Sequence, residues 1–234
     1  MSFAESAPVV LIAGASRGIG LGLVREYLAR GFRVIATERT HAVNSKLGEI
    51  ASQKNAALSV EILDINEPAQ IDALAEKLRG TQLDVLFVNA GVSDDPSQTI
   101  GEISSEEFNW VMTTNALSPL RVIEKLSPFV SANGSVVAMS SALASISENT
   151  NGGYETYRAS KAALNMLMRS YVARAGGERT FLALMPGWVK TDMGGPDAPV
   201  EVEDSARGLA DTIEKHAGRS GFFFVDYQNQ NIPW

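Results

Sequence analysis

The chain has 234 residues, 45% of them hydrophobic and 20% charged, which suits one globular domain with a full core rather than a disordered chain. Its formal net charge of -7, with no Lys/Arg cluster, disfavours a nucleic-acid partner. There is no cysteine, and the two histidines, His41 and His216, are far apart, so disulfides, thiolate nucleophiles and a metal site are not expected.

Residues 1–8 hold an acid, no base and no apolar stretch of signal length. No uncharged run approaches the roughly 20 residues of a membrane span, so a soluble, cytoplasmic protein with no membrane partner is expected. Residues 9–13 are a short apolar run, read as a buried strand ending at Gly14. Ile19, Leu23, Val24, Tyr27 and Leu28 recur at helical spacing, and Gly31 closes that helix. Residues 33–37 read as a second strand, 43–54 as a helix, and 58–63 as a third strand stopped by Asp64. Pro68 opens a helix that turns Ile71, Leu74, Ala75 and Leu78 inward. A fourth strand over 83–88 precedes helices over 104–115 and 117–130. The fifth strand spans 135–139 and a long helix 156–175. Strands at 181–185 and 222–225 flank a helix near 203–216. Strands that alternate with helices and read as continuous apolar runs are the mark of a parallel sheet covered on both faces. The expectation is α/β: a doubly wound parallel sheet of about seven strands, in three αβα layers, forming a single domain over 1–234.

The first strand runs into Gly14-Ala15-Ser16-Arg17-Gly18-Ile19-Gly20, which opens a helix. A tight turn before a helix N-terminus aims backbone N–H groups and the positive dipole end at a diphosphate. Gly14 permits the turn, Gly18 lets the backbone approach a ligand, and Gly20 lets the helix pack on the strand. A plain structural turn is the alternative reading.

Five tyrosines occur, and only Tyr157 has a lysine, Lys161, four residues on. On a helix that spacing puts both side chains on one face. A phenol ordinarily titrates near 10, so bringing it to about 7 would take roughly 4 kcal/mol, shared between the Lys161 ammonium and an oxidised nicotinamide. The phenol could then relay a proton to or from a carbonyl oxygen. Tyr154 with Arg158 is an imperfect copy of the pair, because Arg cannot be deprotonated.

Together, the Gly-x-x-x-Gly-x-Gly turn and Tyr157-Arg158-Ala159-Ser160-Lys161 resemble the short-chain dehydrogenase/reductase family in its compact branch. The resemblance covers nearly the whole chain and implies a Rossmann-type domain. The family has Thr before the first glycine where this chain has Ala13, which removes a hydroxyl hydrogen bond from the turn. It implies that Ser141, the second of Ser140-Ser141, bonds the substrate carbonyl, with Ser140 as fallback. Asn115 falls at the family's catalytic Asn, which supports a water linking Lys161 to solvent; a purely structural Asn115 is the other reading. Asn89-Ala90-Gly91 matches the motif beneath the cofactor, and Asp64-Ile65 the adenine contact, with a turn-capping Asp64 equally plausible. Pro186-Gly187-Trp188-Val189-Lys190-Thr191 resembles the segment in which Val189 and Thr191 hold the nicotinamide carboxamide. The segment 187–195, Gly221-Phe222-Phe223 and the closing Pro233-Trp234 resemble the C-factor/Sniffer-type carbonyl reductases within that family.

These matches imply an NAD(P)(H)-dependent oxidoreductase acting on a small carbonyl or secondary alcohol, with Ser141, Tyr157, Lys161 and Asn115 as the catalytic set. Substrate loops are expected near 92–98, 142–156 and 187–202, with Tyr154, Trp188 and Met193 as candidate pocket walls, Asp94 and Asp95 near its mouth, and a mobile lid over 190–205. At the end of the second strand, Glu38 favours NAD, whereas Arg39 and Arg17 favour the 2′-phosphate of NADP. Two cations against one Glu38 able to swing into solvent favour NADP(H), with NAD(H) as the alternative. The family often pairs through the helices at 104–130 and 156–175, so a homodimer or homotetramer is expected. A cofactor-binding sensor or signalling protein with little turnover is the rival reading. A sugar epimerase or dehydratase is disfavoured, because its larger substrate domain and Gly-x-x-Gly-x-x-Gly turn are missing.

Overall fold

The computed structural model describes residues 7–40, 45–54, 56–95 and 97–234. His41 and the start of the helix expected over 43–54 lie outside them. Seven strands form one parallel sheet in the order β3-β2-β1-β4-β5-β6-β7. They are β1 (Val9–Ala13), β2 (Arg33–Glu38), β3 (Leu58–Ile62), β4 (Leu83–Val88), β5 (Val130–Met139), β6 (Thr180–Met185) and β7 (Gly221–Asp226). The helices are α1 (Gly18–Ala29), α2 (Lys46–Ala51), α3 (Pro68–Lys77), α4 (Ser105–Met112), α5 (Ser118–Leu126), α6 (Glu155–Ala175) and α7 (Val202–His216).

Successive strand residues point to opposite faces, and both faces are buried. Val10 and Ile12 join the core under α1, α2 and α7, whereas Leu11 and Ala13 join the core under α3, α5 and α6. This double burial is why the strands read as unbroken apolar runs. The chain winds outward from β1 to β3, then returns to place β4 on the other side of β1. At that reversal the two crossovers leave in opposite directions, so a crevice opens beyond the carboxyl ends of β1 and β4.

Two elements differ from expectation. The helices expected over 104–115 and 117–130 are one continuous rod in which α4 and α5 are joined by a π-helical turn, Thr113–Leu117. The rod then stops early: α5 ends at Leu126 and a 3₁₀ turn, Ser127–Phe129, leads straight into β5. So β5 begins at Val130 instead of 135, pairing Val130 with Leu83 before a register shift brings Ser135 opposite Val85. Residues 131–133 are partly or fully exposed and polar or small, so they carry no apolar-run signal although they extend the strand.

Candidate active site

The glycine-rich turn sits at the carboxyl end of β1. Gly14 has φ +88°, and a Cβ there would meet Ala90 at 2.8 Å, so the turn needs glycine for both backbone and space. At Gly20 a Cβ would lie 2.2 Å from the Gly14 carbonyl oxygen. Gly18, at φ +54°, faces outward, with nothing nearer than the Thr191 methyl at 3.4 Å. No side chain caps the amino end of α1, and its first turn holds no acid, so its N–H groups and dipole are available to an anion. Asn89 Nδ2 donates to the Gly14 carbonyl at 2.6 Å, tying β4 to the turn.

The hydroxyl missing at Ala13 is supplied from the neighbouring strand. Thr37 Oγ1 accepts from Gly14 N at 3.0 Å, and the Thr37 carbonyl accepts from Ala15 N at 2.8 Å. Sequence reasoning missed Thr37, because its partner is 23 residues away and on another strand.

Across the crevice, α6 carries Tyr157 and Lys161. The Tyr157 phenol is hydrogen-bonded to Ser141, which also accepts from Leu143 N at 3.1 Å. Ser140 points away: its buried hydroxyl donates to Asn165 Oδ1 at 2.8 Å. Lys161 is 3% exposed, donates to the Met139 carbonyl at 2.9 Å, and lies 5.7 Å from the Tyr157 ring centre. Burial pulls its ammonium down to about 8.

The protein's own groups do not lower the Tyr157 phenol; the expected lowering was to be shared with a bound oxidised nicotinamide. Burial of this half-buried residue pushes the phenol up to about 12; the Ser141 hydrogen bond opposes that rise, and the charge of Asp94 adds to it. Burial penalises phenolate more than the neighbouring groups favour it.

Asn115 lies in the π-helical turn and is fully buried. Its amide clamps Val92, accepting from Val92 N and donating to the Val92 carbonyl, both at 2.8 Å, and it also donates to Ser160 Oγ at 3.0 Å. A methyl built on Gly91 would sit 3.2 Å from Asn115 Oδ1 and 3.3 Å from Lys161 Nζ, so the three groups converge. A π-turn spans one extra residue per turn and often marks a functional position in a helix.

The other expected residues divide. Asp64 caps its turn, accepting from Asn66 N at 2.9 Å, and the Ile65 side chain is in the core, leaving only its backbone for a ligand. Glu38 does not swing into solvent: it is 5% exposed and accepts from Ser45 Oγ at 3.3 Å. Arg39 is exposed, and Arg17 is paired with Asp192 at 2.5 Å across the mouth of the crevice. The Pro186 carbonyl accepts from Ser205 Oγ at 2.7 Å, and Gly187, at φ +87°, leaves no room for a Cβ beside Tyr227. Val189 pairs with Val200 in a short bridge, and the Thr191 hydroxyl donates to the Val189 carbonyl at 3.3 Å and accepts from Gly194 N at 3.1 Å. Residues 202–205 of the expected lid are the first turn of α7.

Arg158 has a task of its own. Its guanidinium donates to the Gly153 carbonyl at 2.9 Å and the Gly152 carbonyl at 3.1 Å. Those bonds hold Gly152, Gly153 and Tyr154 in three consecutive left-handed conformations, with Tyr154 at φ +52°. Such a backbone is rare for a tyrosine.

A glycine-rich turn, a Ser–Tyr–Lys cluster and a buried Asn thus meet on one crevice. The family model described as short chain dehydrogenase matches residues 8–201. The chain belongs to the short chain dehydrogenase family. A short-chain dehydrogenase/reductase from Burkholderia multivorans, solved with bound NADP, is 43% identical, covers 97% of this chain and 100% of its own, and superimposes with a TM-score of 0.94. C-signal of Myxococcus xanthus is 42% identical over 65% of this chain and 93% of its own. The carbonyl reductase Sniffer of D. melanogaster is 31% identical, covers 97% of this chain and 100% of its own, and has a TM-score of 0.87. The C-factor/Sniffer resemblance read from the sequence therefore holds, and the seven-stranded sheet is the one expected of this family.

Proposed function

We propose that this short-chain dehydrogenase is an NADP(H)-dependent carbonyl reductase whose acid is Tyr157. The observation that carries the reading is the Tyr157 phenol, hydrogen-bonded to Ser141 beside the buried Lys161. A phenol held at about 12 keeps its proton at neutral pH. That is the form needed to protonate a carbonyl oxygen in the reductive direction.

The crevice fits a nicotinamide dinucleotide, because the uncapped amino end of α1 and the outward-facing Gly18 form a cradle for a diphosphate. Ser16, Arg17, Gly18, Ile19 and Gly20 would hold it. Asn89, Ala90 and Gly91 would lie beneath the adenosine half, and Asp64 and the Ile65 backbone would meet the adenine. Pro186, Gly187, Val189 and Thr191 would hold the nicotinamide end. Bound there, the reduced nicotinamide supplies a hydride to the carbonyl carbon. Ser141 orients the carbonyl oxygen and Tyr157 donates its proton to it. Lys161 stabilises the phenolate left behind and binds the nicotinamide ribose. Asn115 positions the relay that returns a proton to Lys161.

Exposed Arg39 and Arg17 support NADP over NAD, as does NADP in the Burkholderia relative; buried Glu38 opposes it. The segments 92–98, 142–156 and 187–202 would form the substrate walls, although Pro96 lies outside the described residues. Exposed Trp110, Leu117, Met166 and Leu167 on the α4–α5 rod and α6 support pairing of two copies through those helices. Light scattering showing a monomer at micromolar concentration would remove that part.

The test is Tyr157→Phe, assayed by NADPH oxidation with a panel of aldehydes and ketones. Turnover should fall by at least about 1000-fold, from loss of the acid together with its Ser141 bond. Near-normal turnover would sink the mechanism.

A further inference from the structure

Three consecutive residues at the carboxyl end of β5 and just beyond it are bonded to three residues spaced four apart on α6. Ser141 is hydrogen-bonded to the Tyr157 phenol, and the Met139 carbonyl accepts from Lys161 Nζ at 2.9 Å. Between them in sequence, Ser140 Oγ donates to Asn165 Oδ1 at 2.8 Å. Residues four apart share one helix face, so Asn165 stands one turn beyond Lys161 and two beyond Tyr157. The proposed chemistry uses the first two bonds and leaves the third without a task.

Stability does not account for that third bond. Ser140 is 1% exposed and Asn165 4% exposed, yet Asn165 Nδ2 is enclosed without an acceptor. Turning the amide over would leave Oδ1 unpaired instead, so one half of it is unsatisfied either way. A buried unpaired polar group is disfavoured, and the nearby α6 residues Leu164 and Met168 are ordinary apolar core. What the bond supplies is position. Ser140 N donates to the Leu184 carbonyl at 2.7 Å, so Ser140 is fixed to β6 by its backbone and to α6 by its hydroxyl. The slide and rotation of α6 are thereby tied to the sheet, beside the carbonyl that holds Lys161 and the serine that holds Tyr157.

We infer that Ser140 and Asn165 are a pair of positioning residues that set the register of α6 against β5, and through it the placement of Tyr157 and Lys161 relative to Ser141. The inference rests on the carbonyl reductase reading above. Neither residue touches the substrate or exchanges a proton. The reaction is unchanged: the carbonyl carbon gains a hydride from the reduced nicotinamide, which is left oxidised, and the oxygen gains the Tyr157 proton. That transfer needs its heavy atoms within hydrogen-bond reach, and a misplacement of about 1 Å can cost on the order of 100-fold in rate. Without the anchor, Tyr157 and Lys161 stay on one helix face but shift together relative to Ser141.

The experiment compares wild type with Ser140→Ala, Asn165→Leu and the double variant, by thermal unfolding and by NADPH oxidation with the most rapidly reduced carbonyl of the panel. The double variant removes both polar groups, the unpaired N–H included, so its thermal midpoint should match or exceed that of wild type. Its kcat should nevertheless fall about tenfold, while the KM for NADPH changes less than about threefold, because the dinucleotide is held mainly at the α1 turn. Each single variant breaks the same bond and should lose about as much kcat as the double. The single variants keep the inference open to refutation if the double variant does not fold. Tyr171→Phe is the control: it removes another buried α6 bond, between Tyr171 and Ser127 at 2.5 Å, and its kcat should stay at the wild-type value. An unchanged kcat in the double variant, additive losses in the single variants, or an equal fall in Tyr171→Phe overturns the inference and leaves the reductase reading intact. A raised KM for NADPH with kcat unchanged overturns it too, by making the pair a support of the crevice alone. Wild type that oxidises NADPH with none of the carbonyls, or turnover untouched in Tyr157→Phe, overturns the reading beneath it.

Discussion

Lys161→Met should stabilise the fold while abolishing turnover. Lys161 is 3% exposed, and its one hydrogen bond in the protein runs to the Met139 carbonyl at 2.9 Å. Burial takes the ammonium from its ordinary 10.5 down to about 8. That displacement corresponds to about 3 kcal/mol favouring the neutral form, borne by the folded state whenever the group is charged. Methionine removes the charge and fills similar space, but it leaves the Met139 carbonyl without its donor, a loss of about 1 kcal/mol. The net gain expected near pH 7 is about 2 kcal/mol, or roughly 5 °C in the thermal midpoint. The pH dependence has a definite sign. Between about 8 and 10.5 the unfolded chain holds a proton on Lys161 that the folded chain sheds, so wild-type stability rises with pH across that window. The variant has no such group, and its advantage should shrink over the same window. Urea unfolding of both proteins near pH 7 and pH 10 measures this. A variant less stable than wild type near pH 7, or an advantage that does not change with pH, would refute the electrostatic account of Lys161.

Three further outcomes follow from single contacts. Tyr27 is 2% exposed, and its hydroxyl is buried without a partner, so Tyr27→Phe should raise stability by about 1 kcal/mol in denaturant titration; a loss would show an unseen partner. Thr37→Val removes the acceptor of Gly14 N, so NADPH affinity by fluorescence titration should fall about fivefold, and unaltered affinity would show the turn to be rigid without it. Gly91→Ala puts a methyl 3.2 Å from Asn115 Oδ1 and 3.3 Å from Lys161 Nζ, so kcat should drop about tenfold with less than about 1 kcal/mol of destabilisation. An unchanged kcat would mean that the convergence of these groups is not needed for turnover.

Much of the fold was legible because its signals are local. Continuous apolar strands, helical spacing and Gly14, Gly18 and Gly20 each act within a few residues. The Tyr157–Lys161 pair is legible for the same reason: four residues is about one helical turn, whatever the rest of the chain does. The choice of Ser141 over Ser140 came from the family resemblance, and the structure turns Ser140 away to Asn165. The resemblance to a family added the pattern that joined these motifs, and the family match over residues 8–201 bears it out.

The rest was decided between elements. The π-turn at 113–117 has no composition of its own; it places Asn115 where Val92 and Ser160 can be bonded at once. Thr37 replaces the hydroxyl missing at Ala13, and Arg158 turns from an apparent copy of Lys161 into a brace for the Gly152 and Gly153 carbonyls. Glu38 is buried although its position at a strand end suggested freedom. Above all, the sequence placed Tyr157 beside Lys161 but left open the medium around them. A pKa depends on solvent removed from all sides and on charges brought in from distant segments, here Ser141 and Asp94 around Tyr157. Spacing along one helix fixes neighbours; only the packed tertiary structure fixes the medium in which those neighbours act.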